Sequence, residues 1–496
     1  MMKERKIMQD NSNANKTLSN LIWRFAERCG AQGVTILVSI VMARILEPDV
    51  IGMVSLVTVF ITILQVFVDS GLGTALIQKK DADDTDFSSV FYFNFAVCLV
   101  LYFLLFCIAP IIARFYNNPS LTAVVRVIGL LIIISGVKGI QQAYVSRHMI
   151  FKKFFYSTLG GTIFSAFFGI GLALSGAGVW AIVGQQLSNA FIDTVILWMT
   201  VKWRPKKLFN WDRLKGMLAF GWKMLASTLL DTIYNNLRSL LIGKMYSSAD
   251  LAYYNQGRQF PNVIVNNINT SINSVLLPVM SGVQDNTLRV KEMTRKSIKI
   301  STYTMAPLMI GLFSCAEPIV SVVLTDKWLP CVPFLRIFCI TYMFYPIHTA
   351  NLNAITAQGR SDIFLKLEII KKVVGLAILM ISIRFGVLAM AYSLLITSFV
   401  SQLINSFPNK KLLGYGYLEQ LKDIVPSITL AIVMGLCIST LRLLGLSDFA
   451  TLIIQIPVGA AIYIGLSMFL HFESFNYLKS TVGAMLSNFS RKEGKA

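Results

Sequence analysis

The sequence predicts an all-α polytopic membrane protein with fourteen transmembrane helices: two six-helix lobes in parallel repeat plus two extra C-terminal helices. Three observations predict it. Charged residues make up 14% of the 496 positions and hydrophobic residues 55%, for a mean hydropathy of +0.63. A soluble chain would carry about 25% charged residues. Apolar runs of roughly 20 residues, long enough to cross about 30 Å of hydrocarbon as helices, recur along the whole chain. Between the runs, basic segments alternate with short, nearly uncharged ones.

In chain order, the first run (18–43) follows a polar N-terminus without the apolar core of a cleavable leader, so it is expected to be retained. It ends at EPDV. The second (50–77) carries SGLG at 70–73 and ends at the basic QKK. The third (87–113) leads to YNNPS, and the fourth (119–146) contains Arg126 and Lys138 and ends at SRHMIFKK. The fifth (154–175) turns at GAG, and the sixth (178–201) runs into the basic stretch 202–216. The seventh (217–242) ends at MYSSA. The eighth (249–283), with Pro261 and Pro278, precedes the basic stretch 288–299. The ninth (288–325), with Pro307 and Pro318, ends at DKW, and the tenth (330–357) at Arg360. The eleventh (361–384) contains Lys371 and Lys372 and turns at FG, and the twelfth (386–408) leads to 410–422. The thirteenth (418–442) and fourteenth (448–470) flank LGLS and precede a basic tail. Breaks at proline and glycine are expected to let these helices bend.

Alternate segments hold 28 Lys and Arg on one side and 6 on the other. The positive-inside rule then places both termini in the cytoplasm. Most of the net charge of +20 reports topology and anionic headgroups, so no nucleic-acid partner is expected. Seven scattered cysteines without a CxxC pair read as small apolar packing residues, and three isolated histidines make no metal site.

The stretch 202–216 divides six runs from eight. Trp23-Arg24 opens the first run and Trp222-Lys223 the seventh; a shift of 200 sets Val50-Ile51-Gly52 against Asp250-Leu251-Ala252. Six runs separate the copies, so they enter from the same side and form a parallel repeat. The expected organisation is an N-terminal lobe over 1–201, a basic cytoplasmic linker over 202–216, a C-terminal lobe over 217–410, and the last two spans with a tail over 411–496.

Four runs carry polar rows at helical spacing. Lys223, Ser227, Asp231, Asn235 and Arg238 stay within a sector of roughly 120° on the seventh. The eighth has Arg258, Asn262, Asn266, Asn269 and Asn273; the first has Arg24, Arg28, Gln32, Thr35 and Ser39 beside Glu27; the second has Thr58, Thr62, Gln65 and Asp69. A charge at the bilayer centre costs on the order of 2.5–3.5 kcal/mol or more, so these rows must face one another or water. For any single residue, Asp231 with Arg238 for instance, helix-to-helix bonding explains it equally well. Four rows on repeat-related helices point instead to a hydrated cleft between the lobes. Cations outnumber anions in it, and arginine forks match phosphate oxygens, which favours a polyanionic headgroup. The asparagine face VNNINTSIN suits hydroxyl-rich sugars. Arg126, Lys138, Lys371 and Lys372 either add buried positive charge, or snorkel or pair structurally.

Several blocks carry a family resemblance: ARILEPDVIGMVSL (43–56), VDSGLGTALIQKKD (68–81), APIIARFYNNPSL (109–121), GAGVWAIVGQQ (176–186), FGWKMLASTLLDTIYNNLRSLLIGK (220–244), EPIVSVVLTDKWLPCVPFL (317–335) and QGRSDIFLKLEIIKK (358–372). Over about 18–425 the chain resembles the Wzx-type lipid-linked oligosaccharide flippases, the polysaccharide transporter branch of the multidrug/oligosaccharidyl-lipid/polysaccharide exporter superfamily, and most nearly the colanic-acid-like exporters. The resemblance implies a multi-pass protein of a bacterial plasma membrane, and no enzyme. It would move undecaprenyl-diphosphate-linked oligosaccharide to the outer leaflet for exopolysaccharide, capsule or lipopolysaccharide synthesis. Polysaccharide polymerase and glycosyltransferases are the expected partners.

It implies functional roles for the charged positions Arg24, Glu27, Arg28, Asp69, Lys223, Asp231, Arg238 and Arg258; the expected substrate contacts are Arg24, Arg28, Lys223, Arg238 and Arg258 among these, with Asn262, Asn266 and Asn269 from the asparagine face. Glu27, Asp69 and Asp231 would couple transport to a proton or sodium gradient, with no cofactor. The rival readings are a multidrug exporter of the same superfamily, a membrane polymerase or ligase, and a scaffold for the assembly machinery. The first expects an acidic cavity and the second a large external loop; neither is in the sequence. A scaffold would tolerate loss of the rows.

Overall fold

The computed structural model describes residues 23, 26–69, 71–481 and 483. The start of the first expected span, both termini, Arg24 and Ser70 lie outside the described residues. Every regular element among the described residues is helical. In order they are α1 (Ala26–Ile45), α2 (Pro48–Asp69), α3 (Leu72–Gln78), α4 (Asp84–Phe115), α5 (Leu121–Ile128), α6 (Leu130–Arg147), α7 (Lys152–Leu174), α8 (Val179–Thr200) and α9 (Trp211–Met245). They continue with α10 (Ser248–Ser281), α11 (Thr287–Ser314), α12 (Ala316–Val323), α13 (Val332–Met343), α14 (Tyr345–Ala357), α15 (Ser361–Ser382), α16 (Val387–Leu413), α17 (Tyr417–Thr440) and α18 (Asp448–Phe469).

Each of the fourteen expected segments coincides with one of these helices or a broken run of them. Ten spans pass on length and composition, and eleven if α11 and α12 are taken as one. Those that do not pass, α8, α9 and α15, carry polar side chains along much of their length, such as Gln185, Gln186 and Asp193 on α8.

At three of the expected prolines the helix is continuous. Helix α10 runs unbroken through Pro261 and Pro278, and α11 through Pro307. The breaks fall elsewhere. Gly71, at φ 71°, separates α2 from α3, where an added Cβ would lie 3.1 Å from the backbone of Gly221 on α9. A 66° bend at Cys315 separates α11 from α12, the helix that holds Pro318.

The chain divides into two compact units, residues up to Ala252 and residues from Tyr253 onward. In the first unit, α9 packs on α2, α3 and α4, and the basic stretch 202–216 packs inside the unit. Trp203 is buried among Phe87, Tyr144 and Leu214; the backbone N–H groups of Lys206 and Asn210 donate to Ser88 and Ser89 (3.0 and 2.9 Å). A second cluster joins Val38, Met42 and Leu46 of the α1 segment to Ala166, Ala173 and Ala181 of α7 and α8. In the second unit the core is Trp328, Phe338, Met305, Met309, Ile347 and Ala354, all fully buried.

Inside each unit the expected same-side loops meet. In the first, Arg147 donates to the carbonyls of Leu76 and Lys80 (2.6 and 2.7 Å), Lys79 pairs with Asp86 (2.6 Å), Arg213 with Asp83 (2.7 Å) and Lys206 with Asp84 (2.6 Å). At its other end Ala249 N–H donates to Asp49 (3.1 Å) and Lys244 to the Phe115 carbonyl. In the second unit Lys291 donates to the Gly414 carbonyl (2.6 Å) and Lys299 pairs with Glu473 (2.8 Å), while Glu317 at the opposite end holds Arg336 and Arg442. The DADD run at 81–84 is a helix cap: Asp83 accepts from the backbone N–H of Thr85 and Asp86, and Asp86 accepts from Asp83 in return.

Candidate functional site

In the first unit, Asn210 caps α9 by accepting from the N–H of Arg213 (3.0 Å), and the helix then runs 35 residues. Lys223, Ser227, Asp231 and Asn235 are exposed along it, and Arg238 is buried. A lipid-length helix thus keeps one continuous polar row uncovered by its own unit. On α1, Glu27 is buried, Arg28 and Thr35 are exposed, and the Thr35 hydroxyl donates to its own helix at Ala31 (2.8 Å). On α2 the hydroxyls of Thr58 and Thr62 are back-bonded in the same way (2.8 Å each), which leaves their oxygens as acceptors along that face. Asp69 is exposed at the end of α2, where Gly71 breaks the span.

Lys138 is paired. Its ammonium on α6 donates to Asp193 on α8 at 2.5 Å, with both side chains largely buried, and it also acts electrostatically on Asp69. Sequence reasoning missed Asp193, although an acid inside FIDTVILW was visible. Arg126 sits over the Phe106 ring and donates to the Phe106 carbonyl (3.3 Å), a snorkelling arrangement. Lys371 pairs with Glu368 at 2.5 Å.

In the second unit, the Arg258 guanidinium donates to the Tyr342 hydroxyl at 2.9 Å. That tyrosine belongs to a run of rings, Tyr254–Phe338–Tyr342–Tyr345, with centroid separations of 5.2, 5.6 and 5.1 Å. Nothing in the sequence marks Tyr342 or Tyr345, because their part in the site comes from α13 and α14 folding against α10. Asn262 and Asn269 are half-buried, Asn266 and Asn273 exposed, and Asn273 accepts from Asn353 (2.9 Å). A second polar group lies nearer the basic end. Asn351, Asn409 and Gln420 bond to one another (2.7–2.9 Å), and Arg295 grips Asp423 with two bonds of 2.8 Å. No group of three metal-ligating side chains occurs among the described residues.

Lysine, arginine, amide and hydroxyl groups on helices of membrane length can bind phosphate and sugar hydroxyls.

A family model described as polysaccharide biosynthesis protein matches residues 41–333. The teichuronic acid biosynthesis protein TuaB of Bacillus subtilis is 28% identical over 306 residues, 60% of this chain and 62% of that protein; the matched stretch is thus under two thirds of the relative's length. The succinoglycan biosynthesis transport protein ExoT of Rhizobium meliloti is 23% identical over 67% of this chain and 68% of its own. The lipopolysaccharide biosynthesis protein WzxC of Escherichia coli is 20% identical over 85% and 88%. Among solved structures, the lipid II flippase MurJ in an inward closed conformation superposes with a TM-score of 0.74 at 15% identity, covering 91% of this chain and 99% of that one. An inward-facing multidrug resistance MATE family transporter gives 0.61 at 14% identity over 77% and 94%. The fold is therefore the one MurJ and MATE share.

Proposed function

The chain belongs to the polysaccharide biosynthesis protein family, and on that premise we propose that it moves undecaprenyl-diphosphate-linked oligosaccharide repeat units from the cytoplasmic to the outer leaflet by alternating access. The observation that carries the reading is the uncovered row Lys223–Ser227–Asp231–Asn235 on a helix long enough to span the bilayer. Exposed to lipid, such a row would cost several kcal/mol per charge. Exposed to water, it becomes the wall of a route for a polar headgroup.

In this reading the basic loops are cytoplasmic, as the charge alternation requires. Arg24, Arg28 and Arg258 bind the diphosphate, and the polyprenyl tail stays in lipid. Tyr342 fixes the direction of the Arg258 fork. Asn262, Asn266 and Asn269 meet sugar hydroxyls. Glu27, Asp69 or Asp231 takes up the proton or sodium ion that drives the cycle. The two lobes of the sequence repeat rock against each other, the last two spans standing outside the repeat, and a polymerase and glycosyltransferases act before and after. The protein itself makes and breaks no covalent bond.

The test is the leaflet distribution of lipid-linked repeat units. Deletion should strand them on the cytoplasmic face. Chains with Arg28→Ala or Arg258→Ala, inserted at normal level, should fail to clear them. Full clearance by both variants would overturn the diphosphate assignment.

A further inference from the structure

The run of rings beside Arg258 ends on an exposed side chain. Tyr254, Phe338 and Tyr342 are buried, at 2%, 0% and 4% exposure, whereas Tyr345, the last ring, is 40% exposed. Its place follows from a break in the span. Pro346 stands in the first turn of α14 and has no N–H to give the carbonyl of Tyr342, one helical turn before it. The span is interrupted there, at Phe344 between α13 and α14. Phe344 is buried against Phe399, with 4.9 Å between centroids, and its neighbour Tyr345 is left outward. Two edge-to-face contacts, to Tyr342 at 5.1 Å and to His348 at 6.0 Å, hold the Tyr345 ring in place.

The surroundings say what such a ring suits. The phenols of Tyr254, Tyr342 and Tyr345 act electrostatically on Arg258, and no carboxylate forms an ion pair with it among the described residues. Its Nε–H goes to Tyr342, so a phosphate would meet the two terminal amino groups of the fork. About 12 Å further along α14, at 1.5 Å per residue, Asn353 donates to Asn273 of the asparagine face (2.9 Å). Tyr345 therefore stands at the arginine end of that face. A pyranose carries C–H bonds on its faces and hydroxyls at its rim. The first pack on the negative face of an aromatic ring, and the second need amides and hydroxyls. Hydrocarbon fits less well, because it would desolvate a phenol hydroxyl beside a guanidinium.

We propose that Tyr345 is the platform on which the first sugar of the lipid-linked repeat unit stacks, while the phosphate joined to that sugar lies on Arg258. Tyr345 thereby favours sugars with an unobstructed C–H face next to the diphosphate, a role that rests on the flippase reading above.

The test is native mass spectrometry of the full chain in detergent, titrated with undecaprenyl diphosphate, bare or carrying glucose, galactose or N-acetylglucosamine. Wild type should retain at least one sugar-bearing lipid roughly threefold to tenfold better than the bare one, the range of an aromatic stacking contact. Tyr345→Leu should erase that preference and keep retention of the bare lipid, and Tyr345→Phe should keep both. Arg258→Ala should lower retention of every one of them. Tyr345→Gln takes the place of Tyr345→Leu should that chain not fold. No retention of any polyprenyl diphosphate by wild type would overturn the flippase reading and this role with it. Retention without a sugar preference, a preference that survives in Tyr345→Leu, or one that is lost in Tyr345→Phe would overturn the role of Tyr345 alone.

Discussion

Lys138→Met removes one half of an ion pair that the fold has buried on both sides. The partner, Asp193, has a side-chain exposure of 7%, and its second oxygen has no hydrogen-bond partner among the described residues. Helix α7 closes over it at Gly161, where an added Cβ would lie 2.9 Å from the Asp193 Cβ. Stranding a carboxylate there should cost about 3–5 kcal/mol. Replacing both partners, as in Lys138→Met with Asp193→Leu, removes the charge and its desolvation together and should be close to neutral, or stabilising by about 1–4 kcal/mol. The two single effects should therefore fail to add by several kcal/mol, far beyond the 0.3–0.5 kcal/mol expected of independent sites. Thermal unfolding of the four purified proteins in detergent reads this cycle. A Lys138→Met chain as stable as wild type, or a double variant no better than the worse single one, would refute the reasoning.

Other consequences are as specific. Gly52→Ala places a Cβ 1.7 Å from the Ser248 carbonyl oxygen, so α2 and the start of α10 must part; the loss should exceed the ~1–3 kcal/mol of ordinary overpacking and show as a collapse of the monodisperse fraction on size exclusion. Asp423→Asn loses the two-bond grip of Arg295 and weakens the bond from Tyr415 (2.8 Å), for about 1.5–3 kcal/mol in thermal unfolding. Acid should act through the ends of the helices. The hydrogen bond from Arg213 holds the Asp83 carboxyl below the usual range, and that from Lys299 does the same for Glu473. Unfolded values are about 3.9 and 4.3, so both contributions are complete above those values and are lost as pH falls through the lower folded ones. Arg213→Gln with Lys299→Gln should flatten the fall of the unfolding midpoint below about pH 4; an unchanged acid limb would contradict this.

Much of the fold was legible because the bilayer imposes a length and a charge alternation that single residues cannot hide. The fourteen runs, their turns and the same-side loops all follow from those two constraints. Interruptions were less legible. Pro261, Pro278 and Pro307 read as breaks, yet a proline inside a packed membrane helix can leave it continuous when neighbours satisfy the freed carbonyl. The polar row of α9 was visible as spacing. The partners of Arg258 and Lys138 were not, since Tyr342 and Asp193 lie 84 and 55 positions away and enter only through packing. The stretch 202–216 read as a linker from its charge, while Trp203 and the Ser88 and Ser89 hydroxyls fasten it into the first unit.

Water on the α9 row is the central claim, and cysteine accessibility measures it. In a cysteine-free background, Ser227→Cys and Asn235→Cys should react with a small, membrane-impermeant maleimide much faster than Ile233→Cys, which lies about 160° round the helix from Asp231. Reaction of all three at one slow rate, with Ile233→Cys no different from the row, would place the row in lipid or in sealed packing and contradict the account.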